Sequence, residues 1–232
     1  MNRTTAKALH AYDMISDGDR ILVGISGGND SLSLMSILDE RRPRVPVKHR
    51  LFPVHVDLGF GGDLSARLKD YFRQQGLSLR VETSDYGPLA HSDANRENPC
   101  FLCSMLRRKR IFQVADELKC NKVALGHNKD DIIETFFLNM LYSGQMGAMS
   151  PRQSFFENRF TIIRPLAFTE KKTIRRFSGQ MKFPDFINPC PSASKTKRED
   201  VKKMLENLYE TNPAVKGNIF AALRRPVNGP LL

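Results

Sequence analysis

Four short apolar runs, each followed by a longer amphipathic stretch, leave this chain few architectures. ILVGI at 21–25, LFPVHV at 51–56, LSLRVE at 77–82 and KVALG at 122–126 read as strands. Helical patterns lie between and after them, near 31–41, 64–75, 104–119 and 130–142. Strands separated by helices of this length pair in parallel through right-handed crossovers, which predicts an α/β fold built on a doubly wound, Rossmann-like parallel sheet. Ligands then belong at the carboxyl ends of the strands. An opening helix near 3–16 is closed by Asp17-Gly18-Asp19, a turn signal. From about 151 the pattern changes to IIRPL at 162–166, a helix after Thr169, a proline-bearing connector at 184–191 and two basic helical stretches near 196–210 and 213–224. The expected division is a domain over 1–150 and a small, basic, helical C-terminal appendage over 151–232.

Charge follows the same division. Residues 1–150 hold 20 Lys and Arg against 18 Asp and Glu, whereas residues 151–232 hold 16 against 7, so the last third carries most of the net charge of +11. Clustered cations gain affinity for polyanions by releasing counterions from phosphates, and nucleic acid is the partner class this favours over a merely solvated surface. No stretch approaches the roughly 18 apolar residues of a membrane span, and the first 19 residues are polar where a secretory leader is apolar. A cytoplasmic protein with no membrane association is expected. Four cysteines, Cys100, Cys103, Cys120 and Cys190, are too few for a disulfide scaffold at this length.

The sharpest motif is Ser26-Gly27-Gly28-Asn29-Asp30-Ser31, set between the first strand and the first internal helix. Glycines let the backbone turn closely around an anion, and the helix start presents unpaired amides and the positive end of its dipole. The stretch is neither a Walker loop nor the GxGxxG dinucleotide fingerprint. Asp30 is a carboxylate in an anion-binding loop, which points to a magnesium ion shared with phosphate. Asp57 ends the second strand, and Gly126-His127-Asn128-Lys129-Asp130-Asp131 follows the fourth. Taken singly, His127 reads as a loop histidine and Asp130 and Asp131 as carboxylates at a helix start. Facing one crevice with the glycine loop, they read as a site.

Asn98-Pro99-Cys100-Phe101-Leu102-Cys103 introduces a basic helical stretch, Ser104 to Arg110. Two thiolates so spaced can converge on one metal, and a helix start with nearby arginines is expected to lower their pKa. Zinc would require a fourth ligand and a redox pair would not require a third cysteine. Cys190, between Pro189 and Pro191, is the candidate third, while Cys120 reads as a small buried residue.

SGGxDS after a first strand resembles the PP-loop ATP pyrophosphatases, which cleave ATP between its α- and β-phosphates and adenylate a substrate oxygen. With the CxxC and its Arg-rich helix, LGHNKDDIIETFFLNMLYSG from Leu125 to Gly144, Ile163-Arg164-Pro165-Leu166 and Pro189-Cys190, the chain is similar to the tRNA 2-thiocytidine synthetase group of that family, from about Ala6 to Leu223. The resemblance implies ATP and magnesium, bound by Ser26, Gly27, Gly28, Asn29, Asp30, Ser31, Asp57, Gly126 and His127. It implies a 4Fe-4S cluster held by Cys100, Cys103 and Cys190, and catalytic roles for Asp30, Asp130, Asp131 and Arg107. The partners implied are tRNA, a sulfur donor such as a cysteine desulfurase, and a second copy of the chain as a homodimer. Two departures stand out: Asn29 occupies a position where this branch commonly has Lys, and Pro191-Ser192-Ala193-Ser194 replaces a second cysteine and Gly-Ser-Gln. Two rival expectations remain open: an enzyme of the same fold that amidates or ligates a small molecule, and a catalytically degenerate tRNA-binding or redox-sensing protein.

Overall fold

A computed structural model describes residues 1–192 and 196–225, so Ala193, Ser194 and Lys195 of the connector lie outside the described residues. The first half of the sheet is laid down by β1 (Arg20–Gly24), β2 (Arg50–Asp57) and β3 (Arg80–Thr83), crossed by α2 (Asn29–Arg41) and α3 (Leu64–Gln74) after an opening helix α1 (Asn2–Ala11). Then follow α4 (Tyr86–Ala90), α5 (Pro99–Glu117), β4 (Lys122–Ala124), α6 (Lys129–Ser143), β5 (Arg152–Phe155), β6 (Phe160–Ile163) and α7 (Lys171–Met181). Helices α8 (Lys197–Thr211) and α9 (Val215–Arg224) complete the described chain.

The six strands lie in the order β3-β2-β1-β4-β6-β5, all parallel except β5, which pairs antiparallel with β6. Strand order reverses between β1 and β4, whose register pairs Val23 with Ala124. The crevice outside their carboxyl ends is the topological switch point, where ligands bind in open α/β sheets.

Side-chain alternation assigns a helix layer to each face. Ile21, Val23 and Ile25 point into one core with Leu34, Leu38, Leu68, Phe72 and Ile174 of α2, α3 and α7. Leu22, Val54, Val123 and Ile162 point into the other, against Phe112 and Ala115 of α5 and the buried Cys120. A third, smaller core joins Ile133 of α6 to Val201 and Leu205 of α8, with Phe220 and Leu223 of α9 packed on it.

Several expectations need correction. The third strand starts at Arg80 rather than 77, because Gly76 (φ +71°) turns the chain and the Leu77 amide closes back on the Phe72 carbonyl of α3 at 2.9 Å. The opening helix ends at Ala11, before a turn in which Asp13 has φ +43°. Helix α5 begins at Pro99 and not near Ser104: Asn98 caps it, accepting from the amides of Cys100 and Phe101, and proline occupies its first turn. The CxxC pair therefore lies within a helix. Strand β5 and the short α4 were not anticipated. Within 151–232, β6 pairs with β4 inside the sheet, and α8 and α9 pack on α6 in a core of their own. Of the run 162–166, Ile162 and Ile163 lie in β6, which is flanked by β4 and β5, and Arg164 to Leu166 follow its end.

Candidate active site at the switch point of the sheet

The glycine loop is held by its own serines. Ser31 Oγ accepts from the Ser26 amide (3.1 Å) and donates to the Gly28 carbonyl (2.9 Å), while the Gly28 amide donates to Ser26 Oγ (3.3 Å). Gly27 has φ +85°, which a side chain would strain. No side chain among the described residues caps α2, so its first amides stay available to an anion at the positive end of the helix. Asn29 does not point into that space: its Oδ1 accepts from Ser178 Oγ of α7 at 2.6 Å.

Asp30 faces a crowd of charge. Burial, reinforced by Asp131 and Asp130, pushes its carboxyl up to about 6, and Lys171 and Arg175 of α7 pull it back. A carboxylate made uncomfortable by burial and like charge is one that a divalent cation relieves, so the residue suits magnesium arriving with a nucleotide.

Gly126 lets the end of β4 press on the start of α2. A Cβ built there would stand 3.0 Å from the Asp30 carbonyl carbon and 3.1 Å from the Ser31 nitrogen. Next to it, His127 Nδ1 accepts from Arg164 Nε at 3.2 Å, which leaves its proton on Nε2. Burial first, then Arg164, Arg198, Arg107 and Arg108, lower the His127 pKa to about 3, so the ring is neutral at physiological pH. Arg164 is itself buried, donating also to the Ser150 carbonyl (2.5 Å).

Asp130 and Asp131 are both engaged within the protein. Asn128 caps α6 in a reciprocal capping box, its Oδ1 accepting from the Asp130 and Asp131 amides while its own amide donates to Asp131 Oδ2 (2.9 Å). Asp131 lies 3.6 Å from Arg198 of α8. Asp130 accepts from the Lys171 amide (2.9 Å) and from Lys216 Nζ of α9 (2.5 Å). The two C-terminal helices thus reach the helix start that follows β4. At the end of β2, Asp57 accepts from Ser65 Oγ and from the Gly59 amide (2.9 Å); burial opposes its ionisation, but these bonds and His55 hold its pKa below the ordinary value. His55 donates from Nδ1 to the Ile25 carbonyl (2.8 Å), fixing the strand end beside the loop.

Cys100, Cys103 and Arg107 fall at i, i+3 and i+7 of α5, hence on one face. Cys190 comes to that face from the connector, whose Ser192 hydroxyl donates to His91 Nε2 (2.8 Å), the Nδ1 of that ring being committed to the Gly87 carbonyl. Charge on Cys190 raises the pKa of both Cys100 and Cys103, so the three thiols are neighbours. Burial is the larger cause in both, and only Arg107 pulls Cys103 down. The expected lowering by the helix start is therefore overturned by desolvation. Among the described residues no three His, Cys, Asp or Glu converge tightly enough for a single metal ion. Three neighbouring thiols are the kind of donor set an iron-sulfur cluster takes. Arg107 links this face to the crevice, since its charge is felt by Cys103, His55 and His127.

Sequence reasoning missed Lys171, Arg175, Lys216 and Glu134. Glu134 is 6% exposed and pushed up to about 7 by burial and then by Asp131, against the opposing charge of Arg198, 3.4 Å away. A glutamate among apolar residues of α6 was the one available signal.

No helix among the described residues is long and apolar enough to cross a membrane. The family model described as a PP-loop domain matches residues 1–207. A protein of Cupriavidus necator named tRNA-cytidine(32) 2-sulfurtransferase is 39% identical over 225 residues, covering 96% of this chain and 72% of that one. One of the same name from Geobacter sulfurreducens is 37% identical over 231 residues, covering 96% and 88%. Among solved structures, the U34-tRNA thiolase NcsA of Methanococcus maripaludis, determined with its 4Fe-4S cluster, superposes with a TM-score of 0.79 at 23% identity, over 96% of this chain and 77% of that one. At that identity the likeness concerns the fold, and the sequence relatives carry the assignment. This chain belongs to the PP-loop family, in the branch of the tRNA 2-thiocytidine synthetases.

Proposed function

We propose that this protein is an ATP-dependent tRNA sulfurtransferase that replaces the C2 oxygen of a cytidine with sulfur. The observation that carries the reading is the convergence of three thiols from two chain segments on the α5 face whose Arg107 reaches the nucleotide crevice. The rival amidating chemistry has no use for that convergence. A degenerate site is disfavoured by the intact loop geometry and the strained charge state of Asp30.

In this reading the amides after Gly27 hold the phosphates, Asp30 shares magnesium with them, and His127 donates from Nε2. The C2 oxygen attacks the α-phosphorus, the bond to the β-phosphate oxygen breaks, and pyrophosphate leaves. Preorganised donors and Arg107 stabilise the charge that develops. Asp130 and Asp131 act as positioning residues, holding the start of α6 against α7 and α8. Sulfur then adds at C2 and the original oxygen departs with AMP. Cys100, Cys103 and Cys190 would hold a 4Fe-4S cluster, which would supply the sulfur for this exchange. The residues present suit it: the cysteines are unpaired and neighbouring, and metal binding favours their thiolate forms. Residues 1–150 carry the loop and the CxxC, and residues 151–232 complete the sheet and supply the third cysteine and basic helices. A cysteine-desulfurase-type donor, a homodimeric state and a cytoplasmic location belong to the same proposal.

Anaerobic purification tests it. About four irons and four sulfides per chain are expected, with MgATP-dependent thiolation of tRNA that Asp30→Asn, Cys100→Ala, Cys103→Ala or Cys190→Ala each abolishes and Cys120→Ala leaves intact. A colourless zinc protein would overturn the ligand set, and thiolation without iron would assign the sulfur to a cysteine persulfide.

A further inference from the structure

The glycine loop has no cation of its own. Ser26 to Ser31 contains one charged side chain, the carboxylate of Asp30, and Asn29 is turned away to Ser178. A polyphosphate placed there needs positive charge from elsewhere, because charge on the transferring and leaving groups is what phosphate sites neutralise.

Helix α7 is pinned across the crevice at two points. Its Ser178 donates to Asn29, at the helix start after β1, and the amide of Lys171 donates to Asp130, at the helix start after β4. These pins are seven residues apart, about 10 Å along a helix. The face between them spans the switch point and carries Lys171 and Arg175, at i−7 and i−3 from Ser178. Neighbouring cations are already paired: Lys172 and Lys216 with Glu170, Lys216 also with Asp130, and Lys202 with Glu199. Among the described residues, Lys171 and Arg175 have no carboxylate within ion-pair distance. Both line a cavity of about 190 Å³ among α6, α7, α8 and α9, bordered also by Lys216 and by the carboxylates of Asp130, Glu134 and Glu206. Their charge reaches the loop, where it acts on Asp30.

We propose that Lys171 and Arg175 bind the β- and γ-phosphates of ATP and retain the pyrophosphate after cleavage, a role that rests on the ATP-dependent reading above. The guanidinium offers a planar fork for two phosphate oxygens and the ammonium a mobile point charge, so the pair follows the leaving group as its bond to the α-phosphate lengthens.

Calorimetry on the full-length, anaerobically purified protein tests this with three probes: MgATP, magnesium pyrophosphate and AMP. Lys171→Met and Arg175→Met should each weaken ATP and pyrophosphate on the order of tenfold, and together more, while AMP, which lacks both outer phosphates, binds as in wild type. Folding should be preserved, because the bond from Lys171 to Asp130 is made by its backbone, and a wild-type urea midpoint checks this. Lys171→Arg should keep ATP affinity within about threefold. Unchanged ATP and pyrophosphate affinity in the double variant overturns the proposal, as does equal weakening of AMP or an Arg variant as weak as Met. A wild-type protein that binds ATP but transfers no sulfur to tRNA would instead bring down the thiolation reading, leaving the phosphate contacts standing.

Discussion

Gly126→Ala is the sharpest test of how the site is built. The new methyl group would sit 3.0 Å from the Asp30 carbonyl carbon, 3.1 Å from its oxygen and 3.1 Å from the Ser31 nitrogen. All three atoms are backbone, so no rotamer change relieves the contact. The first turn of α2 must retreat from the end of β4 by several tenths of an ångström. Overpacking of this kind costs about 1–3 kcal/mol, roughly a 5- to 150-fold change in the folding equilibrium. The retreat moves the loop amides and Asp30 relative to His127, and displacements approaching 1 Å cost about 100-fold in rate. We expect a lowered urea midpoint together with ATP cleavage reduced about 10- to 100-fold. Gly28→Ala is the matched control. Its φ is −74°, and the nearest atom to a new methyl is Ser26 Oγ at 3.5 Å, so folding should be untouched while ATP binding weakens. A Gly126→Ala protein with wild-type midpoint and wild-type turnover would refute the close approach.

Three further outcomes are expected. Lys122→Met strands Asp19 in a buried pair, with side chains 7% and 5% exposed, and should cost about 3–5 kcal/mol in urea unfolding; it lies at the opposite end of the sheet, so an altered KM for ATP would contradict the layout. Glu134 favours its protonated form in the fold, so the native state loses stability as pH rises from about 4.5 to about 7. Glu134→Gln should therefore be more stable than wild type at pH 8, on the order of 2–3 kcal/mol, and equal to it at pH 4; parallel stability curves would exclude the burial argument. For tRNA, Arg198 and Lys202 are occupied by Glu134 and Glu199, and Lys195 lies outside the described residues, which leaves Lys197 and Lys203 exposed on α8. Replacing both by Ala should reduce the salt slope of tRNA binding by roughly 1 per lost phosphate contact, with unaltered binding marking them as a solvated face.

The parts legible in the sequence were those governed by short-range rules. Ile21 to Ser31 combines a buried strand, glycines and a helix start within a dozen positions, so strand, loop and α2 all follow from local pattern. Asn98-Pro99 is an equally local signal, a cap followed by proline in the first turn, and it places Cys100 and Cys103 inside α5. Strand β5 was hidden because Arg152 to Ser154 face solvent on both sides and its turn uses Phe156, Glu157 and Asn158 at positive φ, without the glycine that usually announces such a bend. The rest of the site depends on partners distant in sequence: Ser178 on Asn29, Arg164 on His127, Lys216 on Asp130. Helical and strand periodicities carry information over a few residues only, and none of these pairs falls within that reach.

The bond from Lys216 to Asp130 also sets an order of events during synthesis. The two residues are 86 positions apart, an interval of roughly 4–17 s at 5–20 residues per second on the ribosome. Once β6 ends at Ile163 the sheet, the glycine loop and the start of α6 are all made, yet Asp130 has no ammonium to meet and α8 has still to bring Arg198 to Asp131 and Glu134. Carboxylates repel one another at that helix start until the last helices dock. The nucleotide site is therefore among the final features to mature, and a nascent chain interrupted before α9 would carry the loop without the surroundings that let it handle ATP.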